Sequence, residues 1–118
     1  MQKDVLVQLF EDMQAWPGIF VHAGAEFWML VGRVYGMLAS GVDQLKGFQG
    51  WVAQELTGDP HSSVCWERIV IADAGVGEQY RWHLTDEESL EVYRKTLSLL
   101  IGYCQTLEET SESDTERH

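Results

Sequence analysis

Apolar side chains recur along the chain at helical spacing, and this pattern predicts a protein built mainly from α-helices. Residues 2–15 carry one apolar stripe opposite a polar and acidic side, which is typical of an amphipathic helix. The tripeptide Trp16-Pro17-Gly18 ends this helix, because proline lacks an amide donor and disfavours helical geometry at the preceding residue. We expect Gly18 to take a positive φ angle, and residues 19–21 to lie extended against the core.

A second helix is predicted over residues 25–40, with Gly41 as its C-terminal cap. Gly32 and Gly36 lie four residues apart in it, and this ridge predicts a closely packed neighbouring backbone. A shorter amphipathic element follows over residues 44–57 and ends at the sequence Gly-Asp-Pro, residues 58–60.

The apolar stretch 64–74 fits either a buried helix or a buried strand, and its length, together with Ser62 or Ser63 as a cap, favours a helix. After a glycine-opened loop over residues 75–84, Thr85 and Glu88 have the spacing of a capping box. The long helix that follows is apolar over a wide arc, so we expect it to be central. Glu91 and Lys95 have the spacing of a surface ion pair on its exposed side.

These elements predict a single all-α domain, a compact bundle of about five helices with one short extended or strand-like segment possible. We place the helical domain at residues 1–106. Residues 107–118, LEETSESDTERH, carry five acids against one arginine, and we expect an acidic disordered tail there.

Charge is the strongest compositional signal, because the chain has a formal net charge of −11. The tail contributes −4 of this charge, so residues 1–106 carry −7 and are acidic in their own right. Such a field repels nucleic-acid phosphates and favours basic partners, although acidity also serves solubility alone. The most apolar stretch, residues 19–42, is interrupted by Glu26 and Arg33, so a buried helix is favoured over a membrane span. Two unpaired cysteines and no secretory signal predict a cytoplasmic protein.

Catalytic and cofactor motifs are not evident in the sequence. His61 and Cys65 have helical spacing, but two ligands are too few for a zinc site. Cys65 is flanked by apolar residues and Cys104 lies on a core face, so both thiols are expected to be buried and inert. The glycines follow neither a phosphate-loop nor a dinucleotide pattern. We therefore expect no enzyme activity, no catalytic or metal site, and no cofactor.

Carboxylates and aromatic side chains occur together in the loop before the long helix and in that helix's first turns. Carboxylates steer a basic partner, and aromatic rings act as anchors in protein interfaces. The alternative is an ordinary loop whose Trp82 folds onto the core. The predicted partner-binding residues are Glu78, Tyr80, Trp82, Asp86, Glu87 and Glu91.

Three short motifs resemble a family of small bacterial immunity-type proteins associated with polymorphic toxins. The sequence Trp-Pro-Gly-Ile-Phe-Val, residues 16–21, stands where that family has an Arg-Pro-Gly-Met-Tyr-Leu-Gly turn. A Phe-x-x-Trp element (Phe48, Trp51) and a Ser-x-x-Trp element (Ser63, Trp66) follow. The resemblance implies a helical fold and a cytoplasmic protein that binds a cognate toxin domain and occludes its active site.

Two other functions stay open from the sequence. One is an acidic inhibitor of nucleases, of phage or mobile-element origin, that mimics DNA. The other is a small helical ligand-binding domain or enzyme with a pocket lined by Trp28, Trp51 and Trp66.

Overall fold

The structure is a computed structural model that describes the backbone of residues 2–76 and 84–116 and the side chains of residues 2–76 and 84–107. Within these ranges the chain forms α-helices, one 3-10 helix and no strand. In chain order the elements are α1 (Lys3–Ala15), α2 (Pro17–Phe20), α3 (Glu26–Ala39), the 3-10 helix (Asp43–Gly47), α4 (Phe48–Thr57), α5 (Trp66–Ala74) and α6 (Asp86–Glu116). The predicted all-α bundle is confirmed, and segment 64–74 contains a helix.

Helix α6 lies at the centre of the bundle and contacts α1, α3, α4 and α5. Its wide apolar arc explains this position, since buried side chains point toward several neighbours at once. Two of these side chains are tyrosines whose hydroxyl groups form hydrogen bonds with other segments. Tyr93 donates to the carbonyl of Met13 at 2.7 Å, and Tyr103 donates to the carbonyl of Gln44 at 2.6 Å. Among the described side chains of α6, the buried ones are Ser89, Val92, Tyr93, Thr96, Leu97, Leu100, Tyr103 and Cys104.

The turn between α1 and α3 differs from the prediction. Helix α1 ends at Ala15 as expected, but Pro17 begins a one-turn helix, and the amide of Val21 donates to the Pro17 carbonyl at 2.9 Å. Gly18 is therefore helical and has no positive φ angle, and the extended geometry is confined to Val21. The physical reason is that the fixed φ of proline also suits the first position of a helix.

Helix α3 ends as predicted, but no described atom lies close to its glycine ridge. Gly41 takes a φ of +94°, and the amide of Val42 donates to the Met37 carbonyl at 3.0 Å, which is a glycine-type helix end. A Cβ placed on Gly32 or Gly36 would meet no other atom within 4 Å in the part of the chain that the structure describes. The predicted close backbone neighbour is therefore absent there.

Helix α5 is capped by another helix and not by its own serines. Its N-cap residue is Cys65, which makes no side-chain cap hydrogen bond. Gln49 on α4 takes this role, because its Oε1 accepts from the amide of Trp66 at 2.6 Å and its Nε2 donates to the carbonyl of Val64 at 2.7 Å. The predicted serine cap is wrong, since a side chain distant in sequence supplies the acceptor.

The last helix continues to Glu116 and so covers most of the segment for which we predicted a disordered tail. The division into a helical domain and an acidic tail stays a prediction. No helix in the described ranges combines the length and the apolarity that a membrane crossing requires.

Candidate functional site

The first turn of α6 is capped by hydrogen bonds between Thr85 and Glu88. The amide of Thr85 donates to Oε1 of Glu88 at 2.9 Å, and the amide of Glu88 donates to Oγ1 of Thr85 at 3.1 Å. These two bonds form the predicted capping box, which satisfies two amides that the helix leaves unpaired. The first turn also carries Asp86 and Glu87, whose charges are favourable at a helix N-terminus.

Asp86, one of the predicted partner-binding residues, packs against the start of α3. Gly24 has a φ of +86°, and a Cβ on it would lie 2.7 Å from Oδ1 of Asp86. Nearby, the amide of Phe27 donates to Oγ of Ser89 at 3.2 Å. The N-terminal ends of α3 and α6 are therefore held together. Asp86 remains exposed, but it has a structural contact that the sequence does not reveal.

Glu87 and Glu91 face solvent one helical turn apart. The predicted pair between Glu91 and Lys95 is replaced, because Nζ of Lys95 lies 2.5 Å from Oδ2 of Asp73 on α5. Among the described residues, the ion pairs found use Asp4, Asp43 and Asp73, and none involves Glu87 or Glu91. These two carboxylates are therefore available to a partner.

The remaining predicted partner-binding residues, Glu78, Tyr80 and Trp82, lie outside the described residues, so their assignment stays a prediction. The chain order alone places them in the segment that connects α5 to the capped start of α6. Carboxylates also occur elsewhere on the surface, for example Glu11 on α1 and Glu55 on α4.

The structure adds a second surface that sequence reasoning did not identify as a site. Trp16 and Ile19, at the start of the α2 turn, are 64% and 75% exposed. Both belong to residues 13–42, which contain no charged residue except Glu26 and Arg33 in a chain with 19 acids. Exposed apolar side chains in a charge-poor stretch indicate a protein contact surface. The gap in charge is the sequence signal from which this surface could have been found.

The candidate nucleophiles are neutral thiols. Burial, followed by a hydrogen bond to Glu67, raises the pKa of the half-buried Cys65, and burial raises the pKa of Cys104 to about 11. Because the thiolate is the reactive form, neither thiol is activated at neutral pH. The predicted burial of Cys65 is wrong, because this residue precedes the first turn of α5 and is only partly buried. The hydroxyl of Tyr35 donates to Oε1 of Glu67 at 2.9 Å, and burial raises the tyrosine pKa.

No group of three or more His, Cys, Asp or Glu side chains occurs within the described ranges that could hold a metal ion. The three tryptophans of the pocket hypothesis lie in two aromatic contacts among the described residues. Trp51 and Trp66 both pack against Phe48, with ring centroids 6.4 and 5.2 Å away, whereas Trp28 packs edge-on against Phe27.

Comparison with known proteins adds no further constraint on this site. No protein-family model, no curated protein and no solved structure matches the chain. The resemblance to immunity-type proteins therefore rests on the three motifs at residues 16–21, 48–51 and 63–66, and stays a prediction. In the structure these motifs form the α2 turn, the start of α4 and the start of α5.

Proposed function

We propose that this chain is an immunity-type protein that binds a cognate bacterial toxin domain with a basic surface and occludes its active site. The observation that carries the proposal is the capped start of α6, where Glu87 and Glu91 are exposed and are in no ion pair among the described residues. The chain as a whole carries a net charge of −11, so its long-range field attracts a basic partner.

The capping box supports this role because it fixes the backbone of the first turn of α6 before the partner arrives. Side chains on a preformed helix turn lose less conformational freedom on binding than side chains on a loose segment. Exposed interface charges mainly accelerate encounter, whereas buried aromatic anchors slow dissociation. In this proposal Glu87 and Glu91 steer the toxin domain, and Tyr80 and Trp82 of the preceding segment supply the anchors. Turnover of a substrate is not required, and the complex forms in the cytoplasm of the producing cell.

The proposal is tested with the purified toxin domain encoded by the neighbouring gene. The double variant Glu87→Lys/Glu91→Lys is compared with the control Glu11→Lys/Glu55→Lys, which makes the same charge change at exposed positions on α1 and α4. We expect the first variant to slow association about tenfold or more relative to the control, because local charges at a contact affect the association rate most.

Two results would contradict the proposal. One is the absence of any complex between the wild-type chain and the toxin domain at micromolar concentrations. The other is an equal loss of association rate in both double variants, which would mean that only net charge matters. Inhibition of several unrelated nucleases, with strong salt sensitivity, would instead favour the DNA-mimicking alternative.

A further inference from the structure

An apolar groove lies between α2 and the outer side of α3. It has a volume of about 560 Å³. Phe20, Met29, Met37 and Val42 contribute its apolar lining, and Arg33 and Ser40 contribute its polar lining. Gly36 keeps one side of it open, since a Cβ at this position would meet no described atom within 4 Å. The groove is therefore wide enough for a side chain from another molecule, and its methionines can adapt to the shape of that side chain.

An exposed apolar side chain is the direct sequence neighbour of a residue that lines this groove. Ile19 is three-quarters exposed and directly precedes Phe20, which lines the groove. Pro17 fixes the first position of the short turn, and Val21 closes it through a backbone hydrogen bond and is itself buried. We infer that this α2–α3 face joins two copies of the chain, with Ile19 of each copy seated in the groove of the other.

Symmetry supports a second copy as the occupant. In a two-fold dimer each contact occurs twice, so a protrusion and a groove on one face satisfy each other reciprocally. A typical stable interface takes about 800 Å² from each partner, which is about a ninth of the 7133 Å² surface of this chain. Seating Ile19 and covering the neighbouring Trp16 would remove the two most exposed large apolar side chains of the described residues from water.

Charge supports the same occupant. Each copy carries −11, so contacts through most of the surface would bring carboxylates together. Between residues 13 and 42 the charged side chains are Glu26 and Arg33, and Glu26 is buried. The exposed charge of this stretch is therefore the guanidinium of Arg33, which lines the groove and is attracted to the negative field of the second copy.

Sedimentation velocity of the full-length chain over a range of concentrations tests the inference. We expect a dimer in the wild type that strengthens between about 0.05 M and about 0.5 M sodium chloride, because salt screens the repulsion between two acidic copies. Gly36→Leu adds a side chain at the groove, where a Cβ would meet no described atom within 4 Å, and leucine favours helix more than glycine does. This variant is expected to remain as thermostable as the wild type and to weaken dimerisation about tenfold or more.

Ile19→Asp provides a second test, with Val64→Asp as its matched control on an exposed valine of another face. The first substitution is expected to give a monomer, and the control to leave the dimer unchanged. A wild-type chain that is monomeric at all concentrations, including about 0.5 M salt, would overturn the inference. A dimer that persists in both Gly36→Leu and Ile19→Asp would overturn it as well, because the contact would then lie elsewhere.

Discussion

Replacing Gln49 by alanine should unfold the chain at lower denaturant concentration, because this one side chain caps α5. Alanine removes the acceptor of the Trp66 amide, at 2.6 Å, and the donor to the Val64 carbonyl, at 2.7 Å. The carbonyl is on the exposed side and can bind water, so its loss costs about 0.5 kcal/mol. The amide belongs to a buried tryptophan, and loss of a helix cap of this kind costs about 1–2 kcal/mol. The expected destabilisation is about 2 kcal/mol.

Urea unfolding followed by tryptophan fluorescence and far-UV circular dichroism measures this difference. Gln49→Glu separates the two contributions, because glutamate keeps an acceptor for the Trp66 amide and its charge is favourable at the start of α5. We expect it to lose less than half as much stability as the alanine variant. Gln54→Ala, at an exposed position of the same helix, is the control and should change stability by less than about 0.5 kcal/mol. The reasoning fails if Gln49→Ala matches this control, or if glutamate costs as much as alanine.

Three further predictions concern the helix ends and the buried thiol. Gly24→Ala should destabilise the fold by about 1–2 kcal/mol, since φ at Gly24 is +86°. The loss should be smaller in an Asp86→Ala background, because a Cβ at position 24 would lie 2.7 Å from the Asp86 carboxylate. A double-mutant cycle in urea measures this coupling. Thr85→Ala should cost about 1 kcal/mol and speed amide exchange in the first turn of α6, measured by hydrogen exchange. Burial raises the pKa of Cys104 from 9.0 to about 11. The neutral thiol therefore stabilises the fold below pH 9, and this contribution is lost as the pH rises toward 11. Cys104→Val should show a shallower decline in the free energy of unfolding at alkaline pH.

Local signals in the sequence were sufficient for the longer helices and for the capped start of α6. The capping box at Thr85 and Glu88 could be predicted because both of its bonds form within four residues. The glycine at the end of α3 and the wide apolar arc of α6 are equally local, and both predictions are confirmed. Exposed carboxylates at the start of α6 follow from the same pattern.

Contacts between distant segments account for the errors. Gln49 on α4 caps α5, and Lys95 on α6 pairs with Asp73 on α5 instead of with Glu91. Neither contact could be predicted from residues nearby in the sequence. The spacing of Gly32 and Gly36 predicted a close helix neighbour that the described residues do not provide. Glycine spacing permits close packing, but it does not show whether a neighbour is present. The exposed α2 turn was missed because Trp-Pro-Gly was interpreted as a helix stop alone, although proline can also begin a helix.

Hydrogen–deuterium exchange of the full-length chain, alone and bound to the toxin domain of the neighbouring gene, tests the central claim most directly. The claim is that the capped start of α6 is the contact surface for a basic partner. Slower exchange on binding is expected at residues 84–91, with little change in α4, whose Phe48 and Trp51 pack against Tyr103 further along α6. Slower exchange confined to α4 and α5, with residues 84–91 unchanged in the complex, would contradict the claim.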